Sequence, residues 1–260
     1  MKKNLEKLAL EGVAGKWQPM VVLAIIILIF LLPQVGTAQM FSMGDDSPQY
    51  VKPQNEVYAG LELMSVSYRG TNSAQPDRGL FSFNGSVIRL GYQSPTVDFS
   101  VGKGGPITGI NDVSYFDIGG KLNFGIPLYR SKAFEVQLPF RLLSRYTVMN
   151  SSNFVQSLFS RFNFGSLAGG IGTKLIVRPT ENIRIDLGAV PSYGFAFASG
   201  GLFGGSLTSI AGKSRLYFDG LFGNLGLSVG YNYDFRNYDI DDEVYDYRMN
   251  GHVVLLGMTF

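Results

Sequence analysis

Residues 224–236, NLGLSVGYNYDFR, separate cleanly by parity. Leu225, Leu227, Val229, Tyr231, Tyr233 and Phe235 fall on one face of an extended chain, and Asn224, Gly226, Ser228, Gly230, Asn232, Asp234 and Arg236 on the other. Successive side chains of a strand point to opposite faces, so this pattern describes a strand with one apolar and one polar side. It recurs. Phe116, Ile118, Leu122, Phe124 and Ile126 oppose Tyr115, Asp117, Gly119, Lys121 and Asn123. Phe134, Val136, Leu138, Phe140 and Leu142 oppose Glu135, Gln137, Arg141 and Arg145. Ile183, Ile185 and Leu187 oppose Arg184, Asp186 and Gly188. Strands in soluble sheets usually run to ~5–6 residues, whereas a tilted strand crossing a bilayer needs ~9–11. The longest of these segments match the second length.

With weaker segments included, the spacing predicts ten strands, near 56–68, 80–92, 96–102, 114–127, 133–147, 164–178, 182–197, 213–220, 224–236 and 247–260. Eight and twelve are the neighbouring even counts. The connections alternate. Short turns fall at 93–95, 128–133, 178–182 and 221–224, and long ones at 69–79, 103–112, 148–160, 198–212 and 237–246. The expected fold is all-β, a closed antiparallel up-and-down transmembrane β-barrel over residues 56–260. Closure is required because an unpaired backbone group in lipid costs several kcal/mol.

The start of the chain fits export. Lys2, Lys3, Lys7 and Lys16 precede the apolar run 20–32, which is too short to span a bilayer and has the length of a secretory signal core. Small Gly36 and Ala38 predict cleavage after Ala38, giving a signal peptide over 1–38 and a polar periplasmic lead-in over 39–55. Cleavage removes four lysines and two glutamates and leaves the remainder formally neutral. A nucleic-acid partner, which calls for a basic excess, is therefore not expected. The absence of cysteine excludes a disulfide framework and thiolate chemistry. Charged residues make up 16% of the chain, below the ~25% of soluble domains.

The last residues, GHVVLLGMTF, put Val254, Leu256, Met258 and Phe260 on one apolar face. This stretch resembles the closing strand of a bacterial outer-membrane β-barrel. In that family the terminal strand alternates apolar residues and ends in an aromatic, usually phenylalanine, which the barrel-insertion machinery recognises. The alternation of short turns and long loops is likewise the outer-membrane pattern. The resemblance implies a Gram-negative outer-membrane location, short turns in the periplasm, and outer-membrane lipid, lipopolysaccharide and the insertion machinery as partners. A soluble lipid-binding barrel would turn its polar face outward and carry many Lys and Glu there. The polar faces here are instead Gly, Ser and Asn with mixed charges, which suit a cramped, wet lumen.

If apolar residues face lipid, parity sends Arg89, Asp117, Lys121, Glu135, Arg141, Arg145, Lys174, Arg184 and Asp186 into the lumen, with Asp98, Arg215, Asp219, Asp234, Arg236 and Arg248. The hairpin 114–147 brings Asp117 and Lys121 near Arg141 and Arg145, and the next turn sets Arg184 and Asp186 against Lys174 and Arg178. Eight strands leave an interior that side chains just fill, so a ten-stranded ring is expected to be largely filled by this network. On that expectation Arg141→Ala raises ion leak.

No catalytic, cofactor or metal site stands out. AGKSRL at 211–216 lacks the earlier glycine of a phosphate-binding loop, since Leu207 stands there. His252 shares the parity of Val254 and Phe260, with no Asp-x-His pattern and no serine in the last thirty residues, so the resemblance to outer-membrane proteases or acyltransferases does not extend to their machinery. Asp239, Asp241, Asp242, Glu243 and Asp246 do not match an EF-hand and read as a solvated acidic loop. Tyr231, Tyr233 and Phe235 suit an interfacial girdle. Phe154, Leu158, Phe159, Leu202 and Phe203 in the long loops could meet a protein partner. The function expected is a structural, adhesive or accessory outer-membrane barrel, not an enzyme. A narrow pore for ions or small solutes is the alternative, and a hydrolase or acyltransferase comes last.

Overall fold

The computed structural model describes residues 55–69, 82–109, 113–151, 161–198, 202–240 and 246–260. The expected signal peptide 1–38, the lead-in before Asn55, and the loop residues Phe154, Leu158 and Phe159 lie outside them. The strands are β1 (Glu56–Tyr68), β2 (Phe83–Gln93), β3 (Val97–Gly104), β4 (Val113–Arg130), β5 (Phe134–Ser151), β6 (Arg161–Ile171), β7 (Thr173–Thr180), β8 (Ile183–Ala198), β9 (Leu202–Phe222), β10 (Leu225–Asp239) and β11 (Tyr247–Thr259). Each pairs antiparallel with its neighbours around the ring, and β1 pairs β11 from Glu56↔Thr259 to Tyr68↔Tyr247. That seam closes the ring, so no strand edge is left for lipid.

Eleven segments make a ring of ten, because β6 and β7 are two halves of one wall strand. Both halves pair β5 in one continuous register, Phe140↔Ile171 and Gln137↔Lys174, and both pair β8 in another, Gly170↔Ser192 and Thr173↔Ala189. The interruption is Gly172. Pro139 on β5 and Pro191 on β8 flank it, and proline has no N–H to give a ladder. The Gly172 N–H donates to the Pro139 carbonyl at 3.1 Å. A Cβ at Gly172 would meet the Ala189 carbonyl oxygen and the Val190 Cα, so only glycine lets the backbones approach this closely.

The connection expected over 198–212 is mostly strand, with β9 starting at Leu202 and running 21 residues. Leu207 and Ser209 point inward while Thr208 and Ile210 point outward, but Gly, Ser and Ala carry this alternation only weakly in sequence. Gly223, with φ 68°, makes the tight turn from β9 to β10, a conformation glycine adopts without strain.

Parity sorts the wall into two faces. Outward stand large apolar side chains on every side of the ring, among them Leu61, Leu63, Leu90, Phe124, Leu142, Leu167, Phe195, Ile210, Val229 and Leu256. Inward, the lumen has two layers. Toward the long-loop end, Met64, Val66, Phe83, Tyr115, Met149, Phe164, Leu207, Tyr238, Ile240, Tyr247 and Met249 form one buried apolar cluster. Phe164 on β6 stacks on Tyr247 of β11 at 5.5 Å between ring centroids and meets Tyr238 edge-on at 5.0 Å, so these rings reach across the lumen. The cramped, wet lumen expected from parity gives way at this end to an apolar layer.

Candidate functional site

Below the apolar layer the lumen holds ion pairs. Arg89 on β2 donates through Nε to Glu62 of β1 at 2.7 Å and through Nη2 to Asp117 of β4 at 3.1 Å. Asp117 also accepts from Arg145 of β5 at 2.9 Å. Arg145 then reaches Asp234 of β10 at 3.5 Å, and Asp234 pairs with Arg236. Strands β6/β7, β8 and β9 separate β5 from β10, so the Arg145–Asp234 contact crosses the lumen. Two more links do the same. Lys213 Nζ on β9 donates to Gln93 Oε1 on β2 at 2.8 Å, and Arg215 on β9 pairs with Glu56 on β1.

A second group lies toward the short-turn end. Glu56 accepts from Arg215, from Ser228 and, at 3.3 Å, from the Tyr217 hydroxyl. The Arg184 guanidinium lies 3.8 Å over the Tyr217 ring and contacts Asp219 at 3.3 Å and Asp186 at 3.4 Å. Lys174 shares Asp186 at 3.4 Å. Near the β4–β5 turn Glu135 takes Arg130 at 2.9 Å and Arg178 at 3.4 Å. Lys121 pairs with Asp98 at 3.0 Å, and the Tyr58 hydroxyl donates to Asp98 at 3.1 Å.

Glycine makes this density of charge fit. A Cβ at Gly102 would strike the Asp117 carboxylate, at Gly230 the Arg215 side chain, at Gly251 the Glu62 carboxylate and at Gly257 the Glu56 carboxylate. Each of these buried charges lies across the bare backbone of a glycine on a strand nearby. Glycine at these four positions is thus the complement of the network.

Arg89, Asp117, Lys121, Glu135, Arg141, Arg145, Lys174, Arg184 and Asp186 all point into the ring. Their pairing differs in detail from the expected one. The register sets Arg145 opposite Gly119 and Arg141 opposite Asn123, so Arg145 takes Asp117 while Arg141 donates to Asn123 Oδ1 at 2.9 Å. Lys121 turns to Asp98, and Arg178 to Glu135. Arg248 is a correction, because it stands on the outer face with its guanidinium 5.7 Å from the Phe235 ring centroid. On β11 the inward positions are Tyr247, Met249, Gly251 and Val253, which excludes 248. Glu56, Glu62 and Lys213 also line the lumen and escaped the reading by parity. Glu62 sits between outward Leu61 and Leu63, which was the available signal.

Val254, Leu256, Met258 and Phe260 face outward. His252 does too, with its Nδ1 2.6 Å from the Tyr231 hydroxyl and its ring 5.1 Å from that of Tyr233. Residues 211–216 are mid-strand in β9. Asp241, Asp242 and Glu243 of the acidic loop lie outside the described residues.

No protein-family model matches the chain, and no curated protein matches it. Among solved structures, the outer membrane protease OmpT from Escherichia coli is similar over 84% of this chain and 99% of its own, at 8% identity and a TM-score of 0.42. The translocator domain of the autotransporter NalP from Neisseria meningitidis covers 80% of this chain and 88% of its own, at 12% identity and a TM-score of 0.34. The attachment invasion locus protein Ail of Yersinia pestis covers 81% and 100%, at 12% identity and a TM-score of 0.31. The closed ring, the apolar outer face and the charged interior are this chain's own. The chain is a closed ten-stranded antiparallel β-barrel with an apolar outer face and a charged interior.

Proposed function

We propose that this outer-membrane barrel serves a structural, adhesive or accessory role, with a lumen that does not conduct. The observation that carries the reading is the apolar layer at the long-loop end, where Phe83, Tyr115, Phe164, Tyr238, Tyr247 and Met249 are at most 1% exposed. Ions crossing such a layer lose their hydration without gaining ligands, which costs several kcal/mol for each ion. The links Arg145–Asp234 and Arg215–Glu56 support the same reading from below. In this account the outward residues of β11 are read by the insertion machinery, lipid and lipopolysaccharide contact the apolar wall, and the long loops meet any protein partner. His252 is a girdle residue, and the role is not enzymatic.

The test is the conductance of the purified mature protein refolded into a planar bilayer, after circular dichroism has established its β content. The expected record is flat. Discrete, salt-dependent steps would overturn the proposal in favour of a narrow solute path.

A further inference from the structure

Ten cationic and eight carboxylate side chains face the lumen among the described residues once Arg130, at the turn, is set aside. Eight of the ten cations lie within 4.0 Å of a carboxylate, namely Arg89, Lys121, Arg145, Lys174, Arg178, Arg184, Arg215 and Arg236. The other two are Arg141 and Lys213. Arg141 donates to the Asn123 amide oxygen at 2.9 Å, and Lys213 to the Gln93 amide oxygen at 2.8 Å. Both line one lumenal cavity of about 140 Å³ that reaches Pro95 in the β2–β3 turn, and the carboxylates in its lining, Glu62, Asp98, Asp186 and Asp234, are each already paired with another cation. The charge excess of the lumen is therefore the charge of these two residues, and they share one space.

A cation held away from water needs a counter-charge or must shed its proton. A lysine can shed its proton, but an arginine in a protein cannot. A cavity with room for several waters, at ~30 Å³ each in the liquid, also has room for one small anion. Guanidinium presents a planar fork of donors that matches the oxygens of carboxylate and phosphate.

We propose that the lumenal cavity is a binding site for a small oxyanion, of phosphate or carboxylate chemistry, held by Arg141 and Lys213 and reached from the short-turn end of the barrel. Asn123 and Gln93 orient the two cations by accepting one hydrogen from each, which leaves their remaining donors for the ligand. The site lies below the apolar layer and does not depend on whether the lumen conducts.

The experiment uses the refolded barrel in detergent and inorganic phosphate as probe. The phosphorus-31 line width is followed at constant ionic strength in chloride, for the wild type and for Arg141→Gln, Lys213→Gln and the double variant. The double variant also serves as the folding control, because removing two buried charges that have no ion-pair partner is expected to leave its thermal midpoint in chloride equal to or above that of the wild type. Saturable broadening with the wild type is expected, with the dissociation constant weakened tenfold or more in Arg141→Gln and broadening abolished in the folded double variant. The proposal is overturned if phosphate does not bind the wild type in competition with chloride, or if the folded double variant binds it equally well. It is also overturned if that variant is less stable in chloride than the wild type, which would make the two cations structural.

Discussion

At the scale of single residues, glycines at four positions of the wall leave room for buried charge. Arg215 lies over Gly230 and Glu56 over Gly257, and both charged side chains are at most 2% exposed. Removing one partner of a buried pair leaves the other uncompensated, which costs about 3–5 kcal/mol, whereas replacing both is often nearly neutral. Arg215→Met is therefore expected to lower the stability of the refolded barrel by about that amount. The double variant Glu56→Gln with Arg215→Met recovers most of the loss. Urea unfolding in lipid vesicles measures both, and an equal loss in single and double variants would show that the pair contributes packing rather than charge.

At the scale of elements, the wall was legible in the sequence and the contents of the lumen only partly so. β4, β8, β10 and β11 announce themselves because lipid accepts only apolar side chains outward and the lumen here accepts polar ones inward, so parity is loud. The N-terminal half of β9 is quiet because Gly204, Gly205, Ser206 and Ser209 hardly distinguish the two faces. The division of one strand at Gly172 could not be read before its neighbours were known, since Pro139 and Pro191 come together there only in the register. The apolar layer was hidden for a different reason. On β1, Leu61 and Leu63 face outward while Met64 and Val66 face inward, and two apolar parities side by side do not say which is lipid and which is core. Partner choice across the lumen, as for Arg145 with Asp234, depends on the closure of the whole ring and has no local signal. This reassigns the leak expected of Arg141→Ala. Among the described residues Arg141 hydrogen-bonds only to Asn123 on the adjacent strand, so its loss is expected to leave the bilayer record flat. Replacing both Phe164 and Tyr238 by alanine opens the layer that bars the way, and discrete conductance steps are the expected result in planar-bilayer recordings. Silence in a folded Phe164→Ala/Tyr238→Ala barrel would place the seal in the charged layer instead.

At the scale of the whole molecule, every conclusion rests on which face of the wall meets lipid. The filled lumen, the apolar seal and the oxyanion site all follow if the alternation is apolar outward, and all fail if the barrel is inverted. The chain has no cysteine, so single cysteines can be introduced one at a time along 253–258 in β11 and spin-labelled without background. The measurement is the collision rate of each label with oxygen, which concentrates in lipid, against that with a water-soluble nickel complex. With the apolar face outward the collision rates have a period of two, with oxygen maxima at 254, 256 and 258 and minima at 253, 255 and 257. Maxima on the odd positions, or a labelled protein that stays folded and soluble without detergent, would contradict it.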